Sequence, residues 1–273
     1  MCKVLQVSKS GFYKWLNAEI SPQAQKKAQV LERIVYHFAD NHERYGSPKI
    51  TSKLHEEGLS TAQRTVSVYM RESGLRACVS RKFKVMTTDS NHDLPIAPNL
   101  LNQEFKVLDP CKVWLADITY IPCREGKTYL ASILDLCTRE IVGWRLSDRM
   151  TTDLITGALE MAYAAKKPSE GLIHHSDRGS QYASLDYRKK LETFKMQASM
   201  SRTGNCYDNA PMESFHSILK KELVYCTRFR TRQQAFDEIY KYIEFFYNRK
   251  RIHSALGYVS PARFAKQLAS RTN

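Results

Sequence analysis

The chain has 273 residues, a length that suggests about two domains. Hydrophobic residues make up 42% and aromatic residues 11%, which excludes a wholly disordered chain, and no apolar run approaches the ~18 residues of a membrane helix. The net charge of +14 favours a polyanionic partner, above all nucleic acid, although a generically basic cytoplasmic protein has the same composition.

The first 78 residues carry helical signals. Residues 4–16 predict a turn and a short helix capped by Ser8 or Ser10, so residues 1–27 are interpreted as a partial helix-turn-helix and a spacer. Residues 28–78 contain three helical patterns, two of which meet at residues 58–60 as in a helix-turn-helix. Arg64 and Arg71 on the second of these favour a DNA-binding domain over an ordinary helical hairpin.

Residues 79–110 predict a linker, because a basic run at 81–84 is followed by polar residues and three prolines. Residues 111–273 then form the second domain. Strands are expected at 113–121, 128–136, 140–146, 171–175 and 196–200, and helices from Thr151, at 185–194 and over most of the chain beyond Asn209, including a tail at 231–268. This order predicts an α/β fold.

Three acidic residues in this domain stand out by their placement. Asp117 lies inside a buried strand, Asp177 ends another strand, and Glu213 lies early on a helix. A buried carboxylate is unfavourable unless it is paired or binds a metal, and active sites of open α/β sheets lie at strand ends. Each acid alone has a structural explanation, but 35 residues separate Asp177 from Glu213, and the three together form a more specific pattern.

This pattern resembles the DDE catalytic core of retroviral integrases and transposases. Four local motifs look like those of the transposases of bacterial insertion-sequence family three: WLADITYI at 114–121, HSDRGSQY at 175–182, DNAPMESF at 208–215 and YNRKRIHSALGY at 247–258. The resemblance covers nearly the whole chain. It implies a ribonuclease-H-like integrase core preceded by a small helix-turn-helix-like domain.

The resemblance also implies a chemistry. In that family the acids corresponding to Asp117, Asp177 and Glu213 are catalytic and hold two magnesium (or manganese) ions, which assist cleavage at the element's ends and strand transfer by a 3′-hydroxyl. Carboxylate oxygens suit these hard cations. The expected partners are the terminal repeats, target DNA and further copies of the chain, together with the product of an upstream reading frame fused to it. The expected location is the nucleoid of a bacterial cytoplasm.

Basic residues near the acids are candidates for DNA contact. Lys220 follows Glu213 by two helical turns, so both residues face the same side of a helix. The resemblance implies that Lys220 contacts DNA near the cut phosphate, although solvated surface lysines are common. Further candidates for phosphate contact are Lys221, Arg178, Arg249 and Arg251.

The sequence is also compatible with other functions. A tyrosine recombinase would use Arg249, Arg251, His253 and Tyr258, but these residues lie close together in the sequence and leave Asp117 unexplained. A DNA-binding regulator without catalysis would use the acids only for folding. His174 and His175 lack a third ligand for a zinc hydrolase, so His175 is expected to support the site or the fold, and turn or cap roles suffice for Asp135 and Asp208.

Overall fold

The computed structural model describes residues 2–78 and 94–272, and the chain divides into two units between Cys78 and Val79. The basic run expected at 81–84 lies outside the described residues. No helix in the described ranges is both long enough and apolar enough to cross a membrane.

The first unit is helical. Its helices are α1 (Lys9–Leu16), α2 (Pro22–Asp40), α3 (Ser47–Glu56) and α4 (Gln63–Glu72). Ser8 caps α1 by accepting a hydrogen bond from the Gly11 amide, as one of the two predicted caps. The residues that precede α3 and α4 are Gly46 and Ala62. Ser47, Ser60 and Thr61 are of residue types that favour helix N-caps and would be predicted to cap these helices, but they are not the N-cap residues.

The core of the first unit lies where α2, α3 and α4 meet. Its fully buried side chains include Ile34, Ile50, Leu54 and Val66, which repeat at helical spacing on their elements. The turn between α3 and α4 passes through Gly58 with φ at +79°, a conformation that favours glycine. Helix α1 contributes no buried residue to this core.

The second unit is built on a mixed sheet. The strands are β1 (Val113–Cys123), β2 (Gly126–Asp135), β3 (Ile141–Ser147), β4 (Ile173–Ser176) and β5 (Gln197–Met200). Their spatial order is β3-β2-β1-β4-β5. The first three strands pair antiparallel, whereas β4 is parallel to both β1 and β5. The expected α/β class is confirmed.

Helices flank this sheet. They are α5 (Thr152–Lys166), α6 (Ser180–Ala183), α7 (Leu185–Thr193), α8 (Ala210–Leu219), α9 (Arg232–Tyr240) and α10 (Pro261–Thr272). A 3₁₀ turn (Cys206–Asn209) precedes α8, and π-helical segments follow α8 (Lys220–Val224) and α9 (Lys241–Tyr247).

The two faces of the sheet have different partners. Trp114 and Ala116 of β1 join the core cluster that contains the buried residues of α5 and α7. Side chains alternate between the faces of a strand, so Asp117 points to the other face. Helix α8 packs on β1, and its side chain His216 contacts Asp117 there. The acid is therefore held between the sheet and α8.

Two segments differ from the sequence-based expectation. The tail expected to be helical over 231–268 is interrupted between Tyr247 and Pro261, where Gly257 and Tyr258 both have positive φ. Residues 94–110, expected to be part of a linker, belong to the second unit.

Residues 98–103 are bonded directly to this unit. The Leu100 amide donates to Ser199 Oγ at 2.9 Å, and the Met200 amide donates to the Pro98 carbonyl at 3.4 Å. The Asn99 and Gln103 amide groups both donate to Asp208. These hydrogen bonds hold residues 98–103 against β5 and the turn before α8.

Candidate active site

Asp117 lies in the middle of β1, and Asp177 directly follows the last residue of the neighbouring parallel strand β4. The register of β1 and β4 pairs Leu115 with His175, and each acid follows its member of this pair by two residues in the chain. Parallel strands are about 4.8 Å apart, so this register puts the two acids side by side. The negative charges of both raise the pKa of the buried Tyr182 hydroxyl, in addition to the larger effect of its burial.

Backbone amides orient both carboxylates. Asp117 Oδ1 accepts a hydrogen bond from the Ile118 amide at 2.8 Å, and Asp177 Oδ1 accepts one from the Gly179 amide at 3.0 Å. A Cβ at position 179 would lie 3.1 Å from Asp177 Oδ1, so the turn after β4 approaches the carboxylate closely because residue 179 is glycine. Both acids are half-buried, as groups at the floor of a cleft would be.

Glu213 lies in the first turn of α8, and its side chain is exposed. The start of this helix is tied to β1, because Asn209 Nδ2 donates to the Ala116 carbonyl at 3.1 Å, one residue before Asp117. Across residues 2–78 and 94–272 no three or more His, Cys, Asp or Glu side chains form a group that could hold a metal ion. The three acids therefore do not form a preformed three-ligand cluster.

His216 is a neighbour of the acids that the sequence reasoning missed. Its Nδ1 lies 3.3 Å from Asp117 Oδ2, and its Nε2 lies 3.4 Å from Ser132 Oγ. The signal was present in the sequence, since a residue three positions after Glu213 shares its face of the helix. The partner across the sheet was not visible without the strand register.

Lys220 is half-buried and close enough to Asp117 to interact with its charge. Burial lowers the pKa of its ammonium group, and the charge of Asp117 opposes this shift. The Nζ atom lies 4.7 Å from the centre of the Tyr120 ring, within the range of a cation–π contact. Lys221, the next residue of the π-helical segment, is also half-buried.

The other predicted DNA contacts of this unit differ in their exposure and in their hydrogen bonds. Arg249 is exposed, and its guanidinium lies over the Phe245 ring. Arg178 donates to the Ser201 carbonyl and to Thr203 Oγ1, both at 2.6 Å, and so braces the chain after β5.

Arg251 corrects the expectation of a phosphate contact. Its side chain is only 7% exposed and donates to both carboxylate oxygens of Glu222. This ion pair raises the pKa of the guanidinium despite its burial. The arginine is committed to the interior of the domain and is not available to DNA.

In the first unit Arg64 and Arg71 both lie exposed on α4. Arg64 is the second residue of that helix and Arg71 lies in its last turn. The two predicted DNA contacts are therefore accessible on the second helix of the α3–α4 pair.

The histidines and remaining acids have structural partners. His174 Nε2 lies 3.0 Å from the Tyr187 hydroxyl, and His175 lies between Ser199 Oγ and Ser201 Oγ. Asp135 accepts hydrogen bonds from the turn at Thr138, and the buried Asp208 forms an ion pair with Arg202 that holds the pKa of its carboxyl well below the usual range. These contacts agree with the structural roles expected for His175, Asp135 and Asp208.

Comparison with known families follows the same division of the chain. Two family models described as integrase core domain match residues 108–206 and 194–261. A third model, described as HTH-like domain, matches residues 25–83. These matches confirm the expected ribonuclease-H-like integrase core and the helix-turn-helix-like domain before it.

Curated relatives cover nearly the whole chain. An insertion element IS600 uncharacterized 31 kDa protein of Shigella sonnei is 46% identical over 98% of both chains. Transposase InsF for insertion sequence IS3A of Escherichia coli is 40% identical over 97% of this chain and 92% of its own. The transposase for insertion sequence element IS904 of Lactococcus lactis is 44% identical over 90% of this chain and 97% of its own.

Among solved structures, the HTLV-2 integrase catalytic core domain in complex with magnesium is 14% identical, with a TM-score of 0.46, over 59% of this chain and 99% of that one. The assignment depends instead on the family models and the full-length curated relatives. The chain belongs to the family of the insertion-sequence IS3 transposases.

Proposed function

We propose that this chain cleaves DNA strands at the ends of an insertion sequence and joins the resulting 3′-hydroxyl to target DNA. Its family is that of transposases with an integrase core, which act as DDE polynucleotidyl transferases. The observation that supports the assignment of residues is that Asp117 and Asp177 each lie two residues beyond the Leu115–His175 pair of β1 and β4, with α8 bonded to the same part of β1.

The donor set fits a hard divalent cation. Asp117, Asp177 and Glu213 offer only carboxylate oxygens, which Mg²⁺ and Mn²⁺ prefer over softer ligands. Glu213 would complete the set from the first turn of α8, where its side chain is exposed. Two such ions, when bound, stabilise the attacking and leaving oxygens of an in-line phosphoryl displacement.

The chain's own groups prepare this site. The amides of Ile118 and Gly179 each hold one oxygen of an acid, so the carboxylates do not have to be oriented at the moment of binding. Lys220 places a positive charge next to Asp117, where we propose that it contacts the phosphate near the cut. No protein nucleophile is needed, since water and a DNA 3′-hydroxyl are the attacking groups.

We assign further DNA contacts to Lys221, Arg178 and Arg249 in the second unit and to Arg64 and Arg71 in the first. Exposure supports Arg249, Arg64 and Arg71. The proposed setting is the nucleoid of a bacterial cell, with several copies of the chain assembled on DNA and with an upstream reading-frame product as a partner.

The test is cleavage of element-end DNA in Mg²⁺ by the wild type and Glu213→Gln. Glutamine keeps the shape of the side chain but removes its charge. We expect cleavage to be lost while binding of the end DNA is retained or tighter. Wild-type cleavage by this variant would overturn the role of Glu213.

Lys220→Ala is the complementary variant, with Lys195→Ala as its matched control. Lys195 is exposed, paired with Glu170, and lies before β5 at the opposite end of the strands from Asp177. We expect Lys220→Ala to weaken end binding and cleavage partially, since one phosphate contact is one of many, and Lys195→Ala to change neither. Equal behaviour of the two variants would contradict the role of Lys220.

The alternatives have distinct outcomes in the same assay. A tyrosine recombinase would leave a covalent protein–DNA adduct, and a regulator would bind without cleaving in any divalent metal. The tyrosine-recombinase hypothesis requires Arg251 to act on DNA, and the ion pair of Arg251 with Glu222 disfavours this.

A further inference from the structure

We propose that His216 is a positioning residue that fixes the Asp117 carboxylate and couples it to the helix that carries Glu213. The inference depends on the proposed function, because the orientation of Asp117 matters to the reaction only if this carboxylate binds the metal.

The imidazole bridges two strands from a single point on α8. Asp117 and Ser132 are register partners on β1 and β2, so their side chains lie next to each other on the same face of the sheet. His216 reaches both, with Nδ1 at 3.3 Å from Asp117 Oδ2 and Nε2 at 3.4 Å from Ser132 Oγ. The imidazole therefore connects α8 to both strands at the level of the acid.

The position is an unusual one for a polar residue. The other buried side chains of α8 are Met212, Phe215 and Leu219, which are all apolar. His216 has 5% of its surface exposed and Ser132 has none. A buried polar ring destabilises a core unless its nitrogens find partners, and here both ring nitrogens face one.

A proton on Nδ1 lets that nitrogen donate toward the carboxylate, and Nε2 and the Ser132 hydroxyl can share a hydrogen bond. Asp117 Oδ1 accepts a hydrogen bond from the Ile118 amide, and Asp117 Oδ2 faces His216 Nδ1 at 3.3 Å. Each oxygen keeps a lone pair for a cation, while rotation of the carboxylate is restricted.

Hydrogen bonds to metal-binding side chains affect metal affinity measurably. Loss of such a supporting group typically lowers metal affinity or activity by about 10- to 100-fold. A histidine that only filled space between α8 and the sheet would be replaceable by any side chain of similar size. The metal affinity of His216 variants therefore distinguishes a positioning role from a space-filling role.

Four substitutions, three of His216 and one of Ser132, separate the contacts of the ring. His216→Asn puts an amide nitrogen near the position of Nδ1 and keeps a donor for Asp117, whereas His216→Gln extends its amide toward Ser132. His216→Leu keeps the approximate volume and loses both contacts. Ser132→Ala removes only the distal partner.

The experiment measures binding of Mn²⁺ alone to the full chain by calorimetry, with cleavage assayed separately. We expect His216→Asn to bind within about threefold of the wild type and His216→Gln and His216→Leu to bind at least about tenfold more weakly. Ser132→Ala should lose about threefold or less. Melting curves without metal show which variants fold, and if His216→Leu does not, the comparison of Asn with Gln decides.

Two outcomes would overturn the inference: wild-type Mn²⁺ affinity in the leucine variant, or an asparagine variant as weak as the glutamine variant. Asp117→Asn separates this failure from that of the proposed function. If Asp117→Asn binds Mn²⁺ like the wild type, the proposed metal site itself is wrong. If it loses binding while the leucine variant does not, only the positioning role fails.

Discussion

Arg249 and Arg251 lie two positions apart in one basic motif and have opposite surroundings. Arg249 is exposed, whereas Arg251 is buried and paired with Glu222. The difference arises because the π-helical segment Lys241–Tyr247 ends just before them and the chain then turns inward. The sequence shows that a residue is basic, but it does not show whether the side chain of that residue pairs with a phosphate or with a carboxylate.

This contrast gives a first prediction. Arg251→Met removes the cation that pairs with the largely buried Glu222 carboxylate, so the free energy of unfolding should fall by about 3–5 kcal/mol. Arg249→Met should change it by no more than about 0.5 kcal/mol while weakening DNA binding. Urea unfolding and a DNA titration of both variants check this. Similar stability losses in the two variants would contradict the assignment.

His174 gives a second prediction, on pH. Burial, with a smaller contribution from the charge of His175, lowers the pKa of His174 to about 3. The unfolded chain protonates this histidine below about pH 6.5 and the folded chain does not, so the unfolded state binds more protons. The free energy of unfolding should therefore decrease as the pH falls from 7 to 5, by up to about 1.4 kcal/mol per unit from this residue.

Urea unfolding followed by tryptophan fluorescence at several pH values measures this slope. The double variant His174→Phe, Tyr187→Phe removes the titrating ring together with the hydroxyl that faces it. Its slope should be shallower by about one proton, while Tyr187→Phe alone keeps the wild-type slope. An unchanged slope in the double variant would show that His174 does not contribute.

Site residues differ in how much of their role was predictable. Asp117, Asp177 and Glu213 were selected from strand and helix placement and from the motifs around them, and their catalytic assignment remains a prediction. His216 was missed because its partners lie on β1 and β2, and only the register shows that Asp117 and Ser132 are neighbours. Contacts across a sheet depend on the strand register, which the hydrophobic pattern and the turn set together, and which no single residue of α8 reveals.

At the scale of elements, α5 lies directly against β3. A Cβ at Gly143 would overlap the carbonyl oxygen of Ala158 and lie 2.7 Å from Ala162 Cβ. Neither the backbone of α5 nor a buried alanine can move aside easily in a close-packed core. The absence of a side chain at position 143 therefore sets the distance between the helix and the sheet.

Gly143→Ala is the third prediction, with Gly157→Ala as its matched control across the same interface. We expect Gly143→Ala to lower the free energy of unfolding by about 1–3 kcal/mol or more through overpacking. A Cβ at Gly157 meets the end of the exposed Arg145 side chain, which can move, and alanine favours a helix over glycine by about 1 kcal/mol. Thermal unfolding measures the melting temperatures of both variants, and a lower melting temperature for Gly157→Ala than for Gly143→Ala would refute this.

Most elements of the second unit follow from periodicity, but the tail does not. The aromatic spacing predicts one helix over 231–268, yet the chain leaves the helix after Tyr247. The Asn248 side chain exchanges two hydrogen bonds with the backbone of Ile141 at the start of β3, and Pro261 begins the next helix. A tertiary contact ends this helix, and such a contact is invisible to a local pattern.

At the scale of the whole molecule, positive charge is unevenly distributed along the chain. Residues 178–273 of the second unit hold 18 lysines and arginines against 8 acids, and residues 1–78, the first unit, hold 12 against 7. Both units therefore bring a surplus to DNA, and the larger one belongs to the end of the chain that contains Glu213 and Lys220. A surplus of this kind makes binding depend on released counterions.

The fourth prediction is a steep dependence of DNA affinity on salt. The logarithm of the binding constant should fall linearly with the logarithm of the salt concentration, with a slope near −0.9 for each phosphate contacted. Fluorescence anisotropy on a labelled duplex between about 50 and 200 mM salt measures the slope. Lys220→Ala should reduce it by about one, and a flat response would exclude phosphate contacts as the main source of affinity.

Residues 98–100 form hydrogen bonds to β5, the strand at one edge of the sheet. Among the strands of the described residues, in the order β3-β2-β1-β4-β5, strand β5 has one side without a neighbouring strand, and an uncovered edge is a template for pairing with another molecule. Residues 98–100 occupy part of that side. A fragment that starts at residue 111 would uncover it and should aggregate in light scattering, whereas one that starts at residue 94 should not. Residues 98–100, which lie in the segment expected to be a linker, would then protect the edge of β5 from pairing with a strand of another molecule.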